Sequence, residues 1–328
     1  MMRAYARELP LLLLAGLVVC AQVSLSALKV DFYLTQLTMA AWYSLVALGL
    51  CLLMGYAGQV SMGQAGFFAI GGYTAAVIST AGMSSWLSIP AGVFVTAAVS
   101  LLVGIPVLRL KGHYLAMATL AFGFIVSRII VGMAIFGQAD GISDVPPYPL
   151  IAGLAITGKR PQRVENFYLA WGAVIVGLML ALNLVRSRTG RALRAIRGDE
   201  EAAAAAGIDV GRYKLAVFVL SAAYAGFAGA CLTHFNAGIG PGEAGVMKSV
   251  RSVALVAAGG MANLWGTLTV SVVLTFLSLR GAFGLFDDAV FGGILVAIML
   301  FAPDGVFSLL RHGIPSPRGF PRRAKGGR

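Results

Sequence analysis

Few residues in this 328-residue chain could do covalent chemistry, and none stands in a pattern that would let it. His113, His234 and His312 lie far apart, with no His-x-x-x-His pair and no Gly-x-Ser-x-Gly nucleophile turn. Cys20, Cys51 and Cys231 sit inside apolar runs without metal-ligand spacing, which reads as buried thiols and not as a disulfide framework. Gly153-Leu-Ala-Ile-Thr-Gly158-Lys159 has the spacing of a phosphate-binding loop. Arg160 stands where a Ser or Thr would hold Mg²⁺, and no strand-turn-helix context surrounds the stretch. The sequence therefore predicts no catalytic residue, no metal site and no bound cofactor.

Residues 186–214 carry a different kind of pattern. Thr189 or Ser187 can cap a short basic helix over 190–197, which Gly198 breaks. Asp199 then reads as an N-cap, and Glu200 and Glu201 place negative charge in the first turn, where the helix dipole favours it. Ala202, Ala203 and the three alanines after them have the highest helix propensity available, and Gly207 offers the C-terminal stop. The product is a surface helix of about seven residues, ~10 Å long at 1.5 Å each. An ordinary solvated loop is the alternative. Against it, five consecutive alanines make a narrow knob suited to a groove on another protein.

The elements that must position this segment follow from composition. Hydrophobic residues make up 59% of the chain and charged residues 12%, with a mean hydropathy of +0.85. Lipid is the solvent that tolerates such a chain, so it is read as an all-α, polytopic membrane protein. Ten apolar runs can be marked, at 9–28, 35–54, 64–82, 87–108, 113–136, 167–185, 215–235, 249–261, 265–279 and 289–302. The eighth and ninth are short enough to be half-helices or a tight hairpin. The first could alternatively be a cleaved signal peptide, but the spans that follow favour a retained helix.

With the N-terminus in the cytoplasm, 17 of the 25 Lys and Arg fall on inner segments. That asymmetry predicts both termini and the 186–214 loop inside, and assigns the +12 net charge to topology and anionic lipid, not to nucleic acid. Residues 1–310 are then one membrane domain, and 311–328 a basic cytoplasmic tail with almost no apolar content, read as disordered. The apolar runs contain no acidic residue, which disfavours a stand-alone secondary transporter driven by coupling ions. Arg128, inside the fifth run, must face protein or water, through a pairing, by snorkelling outward, or along a path.

Between the second and third runs stands Gly55-Tyr-Ala-Gly-Gln-Val-Ser-Met-Gly63. Polar, irregular backbone at membrane depth survives only where it lines a cavity or is buried in protein. Two readings fit: a bent segment beside a path, or a plain cytoplasmic turn.

Glu201-Ala202-Ala203-x-x-x-Gly207 matches the pattern by which ABC importer permeases dock on their ATPases. Together with Gly55 to Gly63, Gly71-Gly-Tyr73, Tyr114-Leu-Ala-Met-Ala-Thr119-Leu-Ala-Phe-Gly123, Ala139-Asp-Gly-Ile-Ser143 and Leu264-Trp265-Gly266, the chain resembles branched-chain amino-acid permeases of the LivM type. The resemblance spans about residues 35–305. It implies a ten-helix permease of the bacterial inner membrane whose coupling residues are Asp199, Glu200, Glu201, Ala202, Ala203 and Gly207. It also implies a translocation path near Gly58, Gln59, Ser61, Gly63, Gln64, Thr119 and Phe124. The implied partners are a second, LivH-like permease, two ATPase subunits that bind the ATP, and an extracytoplasmic binding protein. The implied cargo is a branched-chain or other hydrophobic amino acid, with urea or short amides next because their permeases share much of this pattern; Phe124, His113 and Gln64 depart from the residues frequent in such permeases.

Overall fold

The computed structural model describes residues 2–27, 30, 32–110, 112–150, 154–281 and, beyond them, 289, 292, 293 and 296. The run at 289–302, those four positions apart, and the tail from 311 lie outside the described residues.

Each of the other nine apolar runs forms a helix. The first five are α1 (Met2–Ala27), α2 (Phe32–Cys51), α3 (Gln64–Thr80), α4 (Ser88–Val107) and α5 (His113–Gly132). A π-helical turn, Leu52–Tyr56, prolongs α2. After α6 (Arg163–Arg186) come two short helices, α7 (Arg188–Gly198) and α8 (Glu200–Ala205). Then follow α9 (Val210–Asn236), α10 (Val246–Gly259) and α11 (Leu264–Leu279). Two antiparallel strand pairs order the loops: β1 (Ile142–Ser143) with β4 (Gly238–Ile239) ties the α5–α6 loop to the α9–α10 connection, and β2 (Tyr148–Pro149) with β3 (Ala155–Ile156) folds the α5–α6 loop on itself.

Six helical stretches among the described residues are long and apolar enough to cross a bilayer. They involve α1, α2 with its π turn, α4, α5, α6 and α9. By contrast α3, α10 and α11 have 17, 14 and 16 residues, short of the ~20 that a ~30 Å hydrocarbon core requires. The chain is thus a helical polytopic membrane protein, with fewer full-length spans among its described residues than the apolar runs suggested. Short helices leave polar connections at depth, and that is where the interior becomes interesting.

Burial separates centre from edge. The spanning window of α2 is 83% buried and that of α1 only 6%, so α2 threads the core while α1 lies against its outside. Close approach of α3 and α9 depends on glycine. A Cβ on Gly71 would stand 2.2 Å from the Gly226 carbonyl oxygen, and one on Gly229 2.1 Å from that of Phe68. Small residues let membrane helices pack backbone to backbone, since lipid supplies no hydrophobic drive between them. Phe67 of α3 then sits between Phe122 of α5 and Phe218 of α9, at ring-centroid distances of 4.9 and 5.5 Å.

Candidate functional site

The segment between α6 and α9 folds as its caps dictate. Ser187, not Thr189, caps α7, its Oγ accepting from the Gly190 amide at 3.4 Å. Leu193 and Ile196 face inward and anchor the helix. Asp199 Oδ1 accepts from the Glu201 and Ala202 amides at 2.9 and 3.0 Å, which starts α8. At the other end the Gly207 amide donates to the Ala204 carbonyl (2.9 Å) and the Ile208 amide to that of Ala203 (3.1 Å). Gly207 has φ +83°. Those two bonds and that dihedral are a Schellman stop, which a residue with a Cβ enters only under strain. Ala203 packs inward, while Glu201, Ala202 and residues 204–207 are exposed. Glu200 turns back to pair with Lys214 of α9. The result is a methyl-faced knob held at both ends and along one flank.

This elbow also reaches the bend that ends α2. The Arg197 guanidinium, at the end of α7, donates to the carbonyl of Gly55 in the π turn. Gly58, at φ +68°, lies beneath it, and a Cβ there would stand 3.3 Å from Arg197 Cγ. On its other side the π turn meets the connection between α10 and α11. Tyr56 Oη donates to the Ala262 carbonyl at 2.8 Å and Cys51 Sγ to that of Met261 at 3.3 Å. Gly55 is wedged there so tightly that a Cβ would fall 1.6 Å from the Met261 oxygen.

Residues 58–63 have no regular structure, yet Gln59, Ser61 and Gly63 are buried, as is Gln64 at the start of α3. A plain cytoplasmic turn would be solvated, so the buried, bent segment is the arrangement that forms. Its polar groups find partners on three helices. The Met62 amide donates to Thr119 Oγ1 of α5 (3.0 Å), Gln64 Nε2 to Ser221 Oγ of α9 (2.8 Å), and the Ala65 amide to Ser249 Oγ of α10 (3.1 Å). Ser61 Oγ accepts from the Gly63 amide at 3.4 Å. Thus Ser61, Gly63, Gln64 and Thr119 converge, Gln59 is buried on the same segment, and Gly58 stays at the exposed turn. Phe124 lies apart, on the exposed face of α5, with the Arg128 guanidinium 4.8 Å from its ring centre.

Sequence reasoning missed the charges beside this seam. Lys248 and Arg251 are on α10, and Lys248 bonds Glu243 at 3.0 Å and Tyr43 Oη of α2 at 3.3 Å. Glu243 belongs to no apolar run and sits on the short connection into α10, so scanning the runs for acids passes over it. The brevity of the eighth run was the available signal. Ser221, Ser249 and Arg197 were missed for another reason: nothing local marks them.

The loop between α5 and α6 is latched by His234, whose ring nitrogens lie 2.8 Å from Ser88 Oγ and 2.8 Å from the Pro146 carbonyl oxygen. Tyr148 beside it donates to the Trp86 carbonyl at 3.2 Å, and burial pushes its phenol above the ordinary value. The stretch with phosphate-loop spacing forms β3 and a turn, Gly153 lying outside the described residues. Its Thr157 amide donates to Asn166 Oδ1 at 3.0 Å, and its Lys159 amide to Thr157 Oγ1 at 3.3 Å. Those amides are already engaged within the chain.

Residues 32–302 match the family described as the permease component of the branched-chain amino acid transport system. The high-affinity branched-chain amino acid permease protein LivM of Salmonella typhimurium is 32% identical over 311 residues, covering 88% of this chain and 72% of that protein. LivM of Escherichia coli K12 is 32% identical over 296 residues, 84% of this chain and 69% of the relative. The corresponding LivH of Salmonella typhimurium is 25% identical over 291 residues, 82% and 92% of the two chains. No solved structure matches. The match along most of the chain and the LivM identities give one conclusion: the chain belongs to the branched-chain amino acid transport permease family.

Proposed function

We propose that the chain is one permease subunit of an ABC importer whose cargo is a branched-chain or other apolar amino acid. The observation that carries this reading is α8, a capped, methyl-faced helix joined through α7 and Arg197 to the π turn of α2. In this reading ten helices cross the bacterial inner membrane, residues 1–310 form the membrane domain, and both termini and the elbow are cytoplasmic. A second, LivH-like permease completes the path. Two ATPase subunits receive the α8 knobs and bind the ATP, and an extracytoplasmic protein delivers cargo. The chain itself holds no cofactor and makes no covalent bond to its cargo.

Nucleotide binding in the partners shifts the balance between inward- and outward-facing arrangements by moving the knob as a rigid body. Glu200–Lys214 carries that movement to α9. Arg197 carries it to Gly55, and Gly55 presses on the α10–α11 connection. A π turn, with its weaker i→i+5 bonding, is a suitable place for α2 to yield.

Uptake tests the reading. Cells that lack leucine uptake, given this chain with its partner genes, should recover radiolabelled leucine uptake and gain none for urea. Recovered urea uptake, or leucine uptake that needs no ATPase subunit, would overturn it. Sidedness is tested separately, in a chain without native cysteines. Cysteines at Asp140 and Lys159 should react with an impermeant thiol reagent from outside, and one at Glu201 should not.

A further inference from the structure

A partly buried charged cluster lies around the start of α10. Tyr43 stands eleven residues along α2 from Phe32, about 16 Å at 1.5 Å per residue. Its hydroxyl donates to the Glu243 carboxylate at 3.1 Å and accepts from Lys248 Nζ at 3.3 Å, and the ammonium lies 5.1 Å from the ring centre. Lys248 also bonds Glu243 Oε1 at 3.0 Å. The pair is only partly buried, its side chains 38% and 24% exposed, and such a pair adds little to stability, so its place among the apolar helices points to function.

A cavity of about 70 Å³ opens beside the cluster. It has room for about five water-sized bodies, comparable to the five non-hydrogen atoms of an α-amino acid head group. Its polar wall is Tyr43, Gln64, Glu243, Lys248 and Arg251. Val46, Phe68 and Leu255 make an apolar wall. Gln64 is 1% exposed; its Nε2 is committed to Ser221, while its Oε1 has no partner among the described residues. An amide oxygen left so in a buried place asks for a donor.

We propose that this cavity is a transit site for the head group of an apolar α-amino acid, an inference that rests on the permease reading above. The substrate ammonium enters between Lys248 and Glu243, donating to the Glu243 carboxylate and to Gln64 Oε1. The substrate carboxylate takes Lys248 and Arg251. The side chain lies on Val46, Phe68 and Leu255. A zwitterion replaces both charges of the pair it splits, whereas a neutral amide replaces neither. The cluster thereby opens for the cargo class and stays shut to uncharged solutes.

Saturation-transfer NMR on the full chain in lipid nanodiscs, with L-leucine as probe, tests this while leucine uptake by the complete transporter in cells tests the permease reading independently. Leucine should show saturable transfer. Isopentylamine, which lacks the carboxylate, and 4-methylpentanoate, which lacks the ammonium, should each compete at least tenfold more weakly. Glu243→Gln should abolish the signal. Ser252→Leu, which fills the cavity without touching a charge, should do the same and serves if Glu243→Gln fails to insert. No saturable transfer, equal competition by the three compounds, or a signal unchanged in Ser252→Leu would overturn the site, even in cells whose leucine uptake upholds the permease.

Discussion

In the elbow, Asp199 and the turn that ends α8 find their hydrogen-bond partners within five residues. In the buried seam, Met62, Gln64 and Ala65 find theirs 57, 157 and 184 residues away. The elbow is therefore specified by its own short text and stands out in water, where small local shifts are cheap. The seam is specified by how α3, α5, α9 and α10 happen to meet, and every bond in it shares its fate with a helix contact. In the proposed reading, the part that moves against a partner is built the first way, and the part that holds polar backbone inside the membrane the second.

This contrast can be broken from the seam side first. Gly55→Ala should have the largest effect, because its Cβ would meet backbone 1.6 Å away and neither strand of chain can yield alone. Overpacking costs typically ~1–3 kcal/mol and occasionally more, and a clash with backbone on both sides belongs at the upper end. The expected outcome is loss of monodisperse protein in detergent and a lowered melting temperature. Next comes Thr119→Val, which deprives the Met62 amide of its acceptor at a cost of about 1–3 kcal/mol. Thr119→Ser, which keeps the hydroxyl, should restore thermal stability. A Thr119→Val protein as stable as wild type would mean that the seam is solvated.

The elbow should respond more mildly. Asp199→Ala removes the acceptor of two amides and costs ~1 kcal/mol, a local loss. Amide exchange at Glu201 and Ala202 should quicken on the order of fivefold, with the melting temperature unchanged. A fall in global stability would show that the elbow is not the locally determined unit described above.

Legibility in the sequence follows the same division. Caps, an alanine run and a glycine stop are contiguous, so the α8 knob, its Asp199 start and its Gly207 end could be read residue by residue. Apolar runs located nine helices among the described residues, because hydropathy is also local. What could not be read was depth. The 13 residues of run 249–261 suggested a half-helix, but no spacing tells that Glu243 and Lys248 would meet Tyr43, 200 and 205 residues earlier in the chain. Gln64 was singled out through family likeness. Its partner Ser221 follows only from glycine-to-glycine packing of α3 on α9, which fixes their register.

The central claim is that α8 couples this chain to an ATPase through its shape. Gly207→Val tests it most directly. Among the described residues, none beyond the chain neighbours places an atom within 4 Å of the added Cβ, so the substitution acts through φ +83°. The strain is about 1–2 kcal/mol, enough to unseat a docking knob and too little to unfold the bundle. In the transporter reconstituted with its partners, the variant should assemble with a wild-type melting temperature and lose substrate-stimulated ATP hydrolysis. Full stimulated hydrolysis and full uptake in Gly207→Val would contradict the account and leave the elbow an ordinary loop.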